Sequence, residues 1–203
     1  MSSTNRGYER HKVDYYVTPP KAIKEFFSHW LIDLQSEFHE DLLQVGIRPD
    51  QACWLDPCSG GDETHRMSYP EVIKEEFDPE ILTTIDIRDD SLAEIKADYL
   101  KAGIDKNFFD VIITNPPFYI AKEVIEKGLE DVKDNGYVVM LLRLNFFGSN
   151  ERFQFFQKQL PTWCYVHHRR FSFSNDRKTD SIEYCHMVWK KNDNPAFTML
   201  KII

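Results

Sequence analysis

The sequence predicts an α/β domain built on an open, mostly parallel sheet, and three observations predict it. Val111, Ile112 and Ile113 are consecutive and β-branched, the pattern of a strand covered on both faces rather than on one. Residues 137–142, Tyr-Val-Val-Met-Leu-Leu, repeat that buried-strand pattern. Between the two, Ile120, Val124, Ile125 and Leu129 keep helical spacing. Strand, helix and strand in that order give a parallel pair joined by a crossover.

Taken from the start, residues 1–13 are polar and of mixed charge, and are expected to form a flexible N-terminal segment. Residues 14–203 are expected to be one domain, long enough for a sizeable core and too short for a second domain of independent size. Thr18-Pro19-Pro20 opens an amphipathic pattern through Ile23, Phe26, Phe27, Trp30, Leu31 and Leu34. Proline at the first helical positions suits a helix start, and the helix is expected to end near residues 43–46. Residues 52–56 are the first strand, and Pro57-Cys58-Ser59-Gly60-Gly61-Asp62 follow as a turn. Residues 64–77 begin irregularly and end as a helix. The second strand, 81–86, ends in an acid, Asp86, and 93–98 leave room only for a brief third.

The fourth strand carries Val111 to Ile113 and runs into Asn115-Pro116-Pro117-Phe118. Two prolines fix φ and remove two donors, so strand pairing stops and the carbonyls around Asn115 are held extended. That turn lies at the carboxyl end of a parallel strand, where open α/β sheets bind ligands. The fifth strand, preceded by the turn Asp134-Asn135-Gly136, brings Arg143 out on the same side as Asn115. An amphipathic helix is expected over 149–160, a sixth strand over 163–167 and a seventh over 182–190. The connection between those last two holds Arg169, Arg170, Phe171, Phe173, Arg177 and Lys178, a basic and aromatic loop suited to phosphates and a displaced base.

Hydrophobic content of 42% with 29% charged residues describes an ordinary globular chain. No run is apolar enough to span a membrane, and residues 1–6 lack the apolar core of a signal peptide, so a cytoplasmic location is expected. Cys53, Cys58, Cys164 and Cys185 show no Cys-x-x-Cys spacing and are expected to be reduced thiols. His167-His168 is the one histidine cluster, and no metal is expected. A net charge of -8 argues against coating nucleic acid without specificity, and leaves room for a local basic patch.

Asn115-Pro116-Pro117-Phe118 resembles motif IV of the S-adenosylmethionine-dependent methyltransferases that modify exocyclic amines, chiefly DNA adenine-N6 methyltransferases of the small kind carried by bacteriophages. Tyr16-Val17-Thr18-Pro19-Pro20 is similar to their motif X, and Asp56 to Asp62 to their glycine-rich motif I. The motifs stand in the family's order and span roughly residues 14–190. The resemblance implies a Rossmann-like seven-stranded class I methyltransferase fold with one antiparallel strand. It implies S-adenosylmethionine as cofactor, held by Tyr16, Thr18 and Pro19, by Asp56, Cys58 and Gly60, by Asp86 and Ile87, and by Asp98 and Tyr99. Catalysis would fall to Asn115, Pro116, Pro117 and Phe118, and nucleic-acid contact to Arg143 and the 169–178 loop. The sequence departs from the family pattern at Asp62, where a third small residue is usual.

The expected activity is methyl transfer to the adenine amine in DNA by a monomer or weak dimer, without metal or membrane. RNA adenine and protein glutamine are alternative substrates, because a glutamine amide poses the same nucleophilicity problem. A catalytically silent module that binds cofactor or nucleic acid is the alternative of a different class.

Overall fold

A computed structural model describes residues 17–36, 47–172 and 181–203. The expectations for the N-terminal segment with Tyr16, the end of the first helix, and Phe173, Arg177 and Lys178 lie outside those residues. The elements in chain order are α1 (Pro20–Ser36), β1 (Cys53–Asp56), α2 (Ser68–Phe77), β2 (Ile81–Asp86), β3 (Ile95–Lys96) and β4 (Phe109–Thr114). They continue with α3 (Ala121–Asp131), β5 (Val132–Arg143), a 3-10 turn (Leu144–Phe147), α4 (Asn150–Phe156), β6 (Trp163–Val166), β7 (Tyr184–Lys190) and β8 (Met199–Ile202).

The strands form one sheet in the order β3-β2-β1-β4-β5-β7-β6-β8. Strands β1 to β5 pair in parallel, and β7 runs antiparallel to both β5 and β6. Among the described residues the single antiparallel strand is as expected, but the sheet has eight strands, not seven. The extra strand is β8, which pairs in parallel with β6 through Trp163↔Met199 to Val166↔Ile202. Met199-Leu200-Lys201-Ile202 shows no alternation between core and solvent. Met199, Leu200 and Ile202 stay more than half exposed, which is why no strand is legible there.

Alternate residues of the central strands feed two cores. Val111, Ile113, Val139 and Leu141 pack under α1 and α2, while Ile112, Val138, Met140 and Leu142 face α3 and α4. Both faces are covered, which is what the uninterrupted β-branched run requires. The Asp134-Asn135-Gly136 turn is not a separate turn. It lies inside β5, with Asn135 at φ 61° and a register shift against Phe109 to Val111. A side chain at Gly136 would stand 2.8 Å from the Asp110 carbonyl, so glycine is required by the close approach of β4.

The parallel strands β1, β2 and β4 end on one edge of the sheet, and their carboxyl ends deliver Asp56, Asp86 and Asn115 there. That edge is the region where open sheets carry ligands.

Candidate active site

A cavity of about 220 Å³ opens at this edge. One wall holds Pro57, Cys58 and Ser59, a second Asp86, Ile87 and Arg88, and a third Asp98, Tyr99 and Leu100. Thr18, Ser68, Tyr69, Asn115, Pro117 and Tyr119 close the remaining side.

The turn after β1 is shaped by glycine. Gly60 and Gly61 adopt φ of 64° and 77°, conformations that cost other residues strain. A Cβ on Gly61 would sit 2.8 Å from Met67 Cγ. Asp62 is explained by the loop itself: its Oδ1 accepts from the Thr64 and His65 amides, each at 2.8 Å, and from the Thr64 hydroxyl at 2.7 Å. These donors hold its carboxyl well below the usual carboxylate range. Asp62 thus fastens the loop, and it does not line the cavity.

Asp86 is 7% exposed and ties the β2 end to that turn. Its Oδ2 accepts from the Gly60 amide at 2.8 Å and its Oδ1 from the Arg88 amide at 2.9 Å. The Arg88 guanidinium lies 3.5 Å from Asp86 and donates to the Gly61 carbonyl, so it bridges the two loops. Ile87 stays 57% exposed at the cavity rim, an apolar surface presented to solvent. Asp98 accepts from Lys101 at 2.9 Å, and the Tyr99 hydroxyl is committed to Asp131, also at 2.9 Å.

Asp56 is fully buried beneath the turn and does not reach the cavity wall. Burial pushes its carboxyl up to about 7, against the Thr114 hydroxyl and the Cys58 amide, which favour the charged form. The folded state therefore holds the proton between the unfolded value and about pH 7, and stability from this group falls as pH rises through that window. Asp56→Asn, which keeps an acceptor for Cys58, is expected to remove that loss, a difference on the order of 2–4 kcal/mol between pH 4.5 and 7.5. Urea denaturation of both proteins at the two pH values measures it; equal pH dependence would show that Asp56 ionises normally.

On the opposite side, Asn115 Nδ2 donates to Thr18 Oγ1 at 3.1 Å, which joins the β4 turn to the start of α1. Pro116 is buried, and the Pro117 carbonyl accepts from Ile120 at 3.1 Å, fixing the turn into α3. Phe118 is half-buried and does not line the cavity; Arg143 lies over its ring at 4.7 Å, and Tyr184 is 6.0 Å away. Phe171, expected to meet a base, is instead 5% exposed and stacked on Tyr184 at 5.4 Å. The β6–β7 antiparallel pairing brings Tyr184 beneath it, and the ring fills the core there. Arg169 and Arg170 are exposed, with Arg170 3.5 Å from Glu183.

No family model matches the sequence, and no curated protein matches it. Solved structures do match. A Listeria monocytogenes protein assigned to the class I S-adenosylmethionine-dependent methyltransferases superposes with a TM-score of 0.61 at 15% identity, covering 92% of this chain. The chain spans 65% of the length of that protein. A tRNA (m1A) methyltransferase from Aquifex aeolicus gives 0.57 at 13% identity, over 93% of this chain and 74% of that one. A Pyrococcus horikoshii protein assigned as an RNA methyltransferase gives 0.57 at 15%, over 93% and 94%.

The chain has the class I methyltransferase fold.

Within this methyltransferase fold, the structure gathers Thr18, Cys58, Asp86, Ile87, Asp98, Tyr99, Asn115 and Pro117 around one cavity. Pro19, Asp56, Gly60, Pro116 and Phe118 stand behind its walls rather than in them. Tyr69, Ser68, Arg88 and Tyr119 line it without having been anticipated. Tyr69 and Ser68 belong to the 65–70 run, whose composition carries no local pattern that marks it. Arg88, two residues past the strand-ending acid, is the one of the four that a charge-pair argument from sequence could have found. Among the described residues no group of three or more metal-ligating side chains occurs, and no helix is long and apolar enough to cross a membrane.

Proposed function

We propose that this protein transfers a methyl group from S-adenosylmethionine to the exocyclic amine of adenine in DNA. The observation that carries the reading is that Asn115 and Asp86, at the ends of β4 and β2, line one cavity. The cavity fits the cofactor. The turn after β1 presents Cys58 and Ser59 to the cavity, Asp86 offers a buried carboxylate for two ribose hydroxyls, and Ile87 offers an apolar face for adenine. When bound, the cofactor supplies an electrophilic methyl group on a sulfonium.

The residues of the β4 turn treat the nucleophile. An adenine amine is weakly nucleophilic because its lone pair is delocalised into the ring. Asn115 Oδ1 accepts an amine hydrogen, which draws the nitrogen toward tetrahedral geometry and stabilises the positive charge that develops on it; the Pro116 carbonyl, expected as the second acceptor, stands behind the cavity wall. This is preorganised electrostatic stabilisation and needs no general base. Arg143, held over the Phe118 ring beside the β4 turn, and the exposed Arg169 and Arg170 are the cations assigned to phosphates.

RNA is the second reading, supported by the tRNA and RNA methyltransferases among the superposed structures. The test is transfer of labelled methyl to unmethylated duplex DNA, single-stranded DNA, RNA and a glutamine peptide in parallel, with the modified product identified by mass. N6-methyladenine in DNA is the expected product. Label in RNA alone would move the assignment to the second reading, and cofactor binding without label anywhere would make the protein a silent module.

A further inference from the structure

The turn that carries Asn115 ends in two aromatic side chains and sends them apart. The Ile120 amide donates to the Pro117 carbonyl at 3.1 Å, which closes a four-residue turn with Phe118 and Tyr119 at its two corners. Phe118 turns inward. It is half-buried and packs against both apolar cores, with the Arg143 guanidinium over its ring at 4.7 Å and Tyr184 at 6.0 Å. Tyr184 is itself stacked on Phe171 at 5.4 Å, so Phe118 is one layer in a row of packed side chains that belongs to the fold. Tyr119 turns outward. It is 75% exposed and lines the cavity that Asn115 and Asp86 also line, which Phe118 does not.

We propose that Tyr119 is the aromatic surface on which the substrate base stacks, in place of Phe118, to which the motif resemblance assigns a part in the reaction. The inference deepens the methyl-transfer reading and rests on it for the identity of the reaction.

A single exposed tyrosine on a protein surface is ordinary. The position of this one is not. It follows Asn115 by four residues in a turn that Pro116 and Pro117 make rigid, so the amide and the phenol are held in a fixed relation to each other. A base that offers its amine to Asn115 lies in the cavity that Tyr119 lines. Two other tyrosines, Tyr69 and Tyr99, reach the same cavity. Both are buried, and their hydroxyls are engaged by His186 at 2.8 Å and by Asp131 at 2.9 Å. Of the three, Tyr119 alone has an open ring to offer.

The chemistry of that surface bears on the substrate class. Every nucleobase has a π-face that an aromatic ring can cover, whereas a glutamine side chain brings only its small amide plane. A ring at this place therefore favours a base over a protein amide, although both present the same kind of nitrogen to Asn115. It also offsets part of the cost of extruding a nucleotide from a duplex.

Tyr119→Ala is expected to lower kcat/KM for unmethylated DNA about 5- to 150-fold, the loss that corresponds to one base–aromatic stack. The cofactor dissociation constant is expected to stay within about threefold of the parent. Tyr119→Phe keeps the ring and is expected to recover most of the loss. Phe118→Leu keeps the apolar filling without a ring, and is expected to lower kcat/KM less than Tyr119→Ala does. A larger loss at Phe118→Leu, or parental kcat/KM in Tyr119→Ala, overturns the proposal and leaves the methyl-transfer reading in place.

A second measurement reads the stack without turnover. The four tryptophans of the chain are all buried, each 2% exposed or less, so the indole introduced by Tyr119→Trp is the one open to ligands. With S-adenosylhomocysteine present to prevent transfer, single-stranded oligodeoxyadenylate is expected to quench its emission. An abasic oligomer of the same length, which brings phosphates without bases, is expected not to. Equal quenching by the two, or quenching by neither, overturns the proposal. Should the parent protein transfer methyl to no nucleic acid, the methyl-transfer reading falls, and the same fluorescence comparison decides by itself whether Tyr119 meets a base.

Discussion

Asn115→Ala is expected to lower methyl transfer at least about 100-fold while cofactor binding stays within about threefold of the parent. The asymmetry comes from where the residue sits. Asn115 leaves the end of β4 on the side of the cavity shared with Thr18 and Tyr69, whereas Cys58 and Ser59 of the turn after β1, Asp86 and Ile87 form the walls assigned to the cofactor. Its proposed acceptor role grows as positive charge develops on the attacking nitrogen, so the loss falls on the transition state and hardly on the ground state. Groups of this kind are worth roughly 2.7–4 kcal/mol when removed singly. Rates of single turnover, with the cofactor constant from calorimetry, decide the matter. Transfer above a tenth of the parent rate would remove Asn115 from the reaction.

Asp86→Ala is expected to do the reverse and raise the cofactor dissociation constant between about 10- and 1,000-fold. A hydrogen bond to a charged group contributes about 1.5–3 kcal/mol, and the ribose reading assigns one or two to this carboxylate. Asp86 also holds the Gly60 and Arg88 amides, so the alanine variant loosens the turn after β1. Asp86→Asn separates the two effects. It keeps an acceptor for one of the amides and retains most of the shape, and its affinity is expected to lie between those of the parent and the alanine variant. Saturating cofactor should restore most of the rate in both. Cofactor affinity equal to the parent's in both variants, with the fold intact by thermal denaturation, would take Asp86 off the ribose.

Much of the fold was legible because its signals are local. The β-branched run of β4, the buried run of β5 and the spacing of α3 each report what covers them within a few residues. Gly60-Gly61 announces a positive-φ turn, and Pro116-Pro117 announces the end of a strand, for reasons contained in those residues alone. A strand that ends in Asp86 and another that ends in Asn115 must open on the same edge if both are parallel, so their placement on one edge of the sheet was readable too. Strand β8 was not, since an exposed edge strand has no face to alternate. Phe171 is the opposite case. Its basic neighbours mark a loop suited to phosphates and a displaced base, and only the β6–β7 pairing shows that Tyr184 lies ready to stack under it.

The sequence by itself determined the order of the elements, the two rigid turns and the acids and amide at the strand ends. Only the tertiary structure decided what stands behind the amide. Asn115 meets Thr18 across 97 positions, and Tyr69 meets His186 across 117. No local pattern encodes a contact at that range. It exists because the sheet brings β7 beside β5 while α1 and α2 cover one face, so that four unremarkable polar residues are buried together and must satisfy one another.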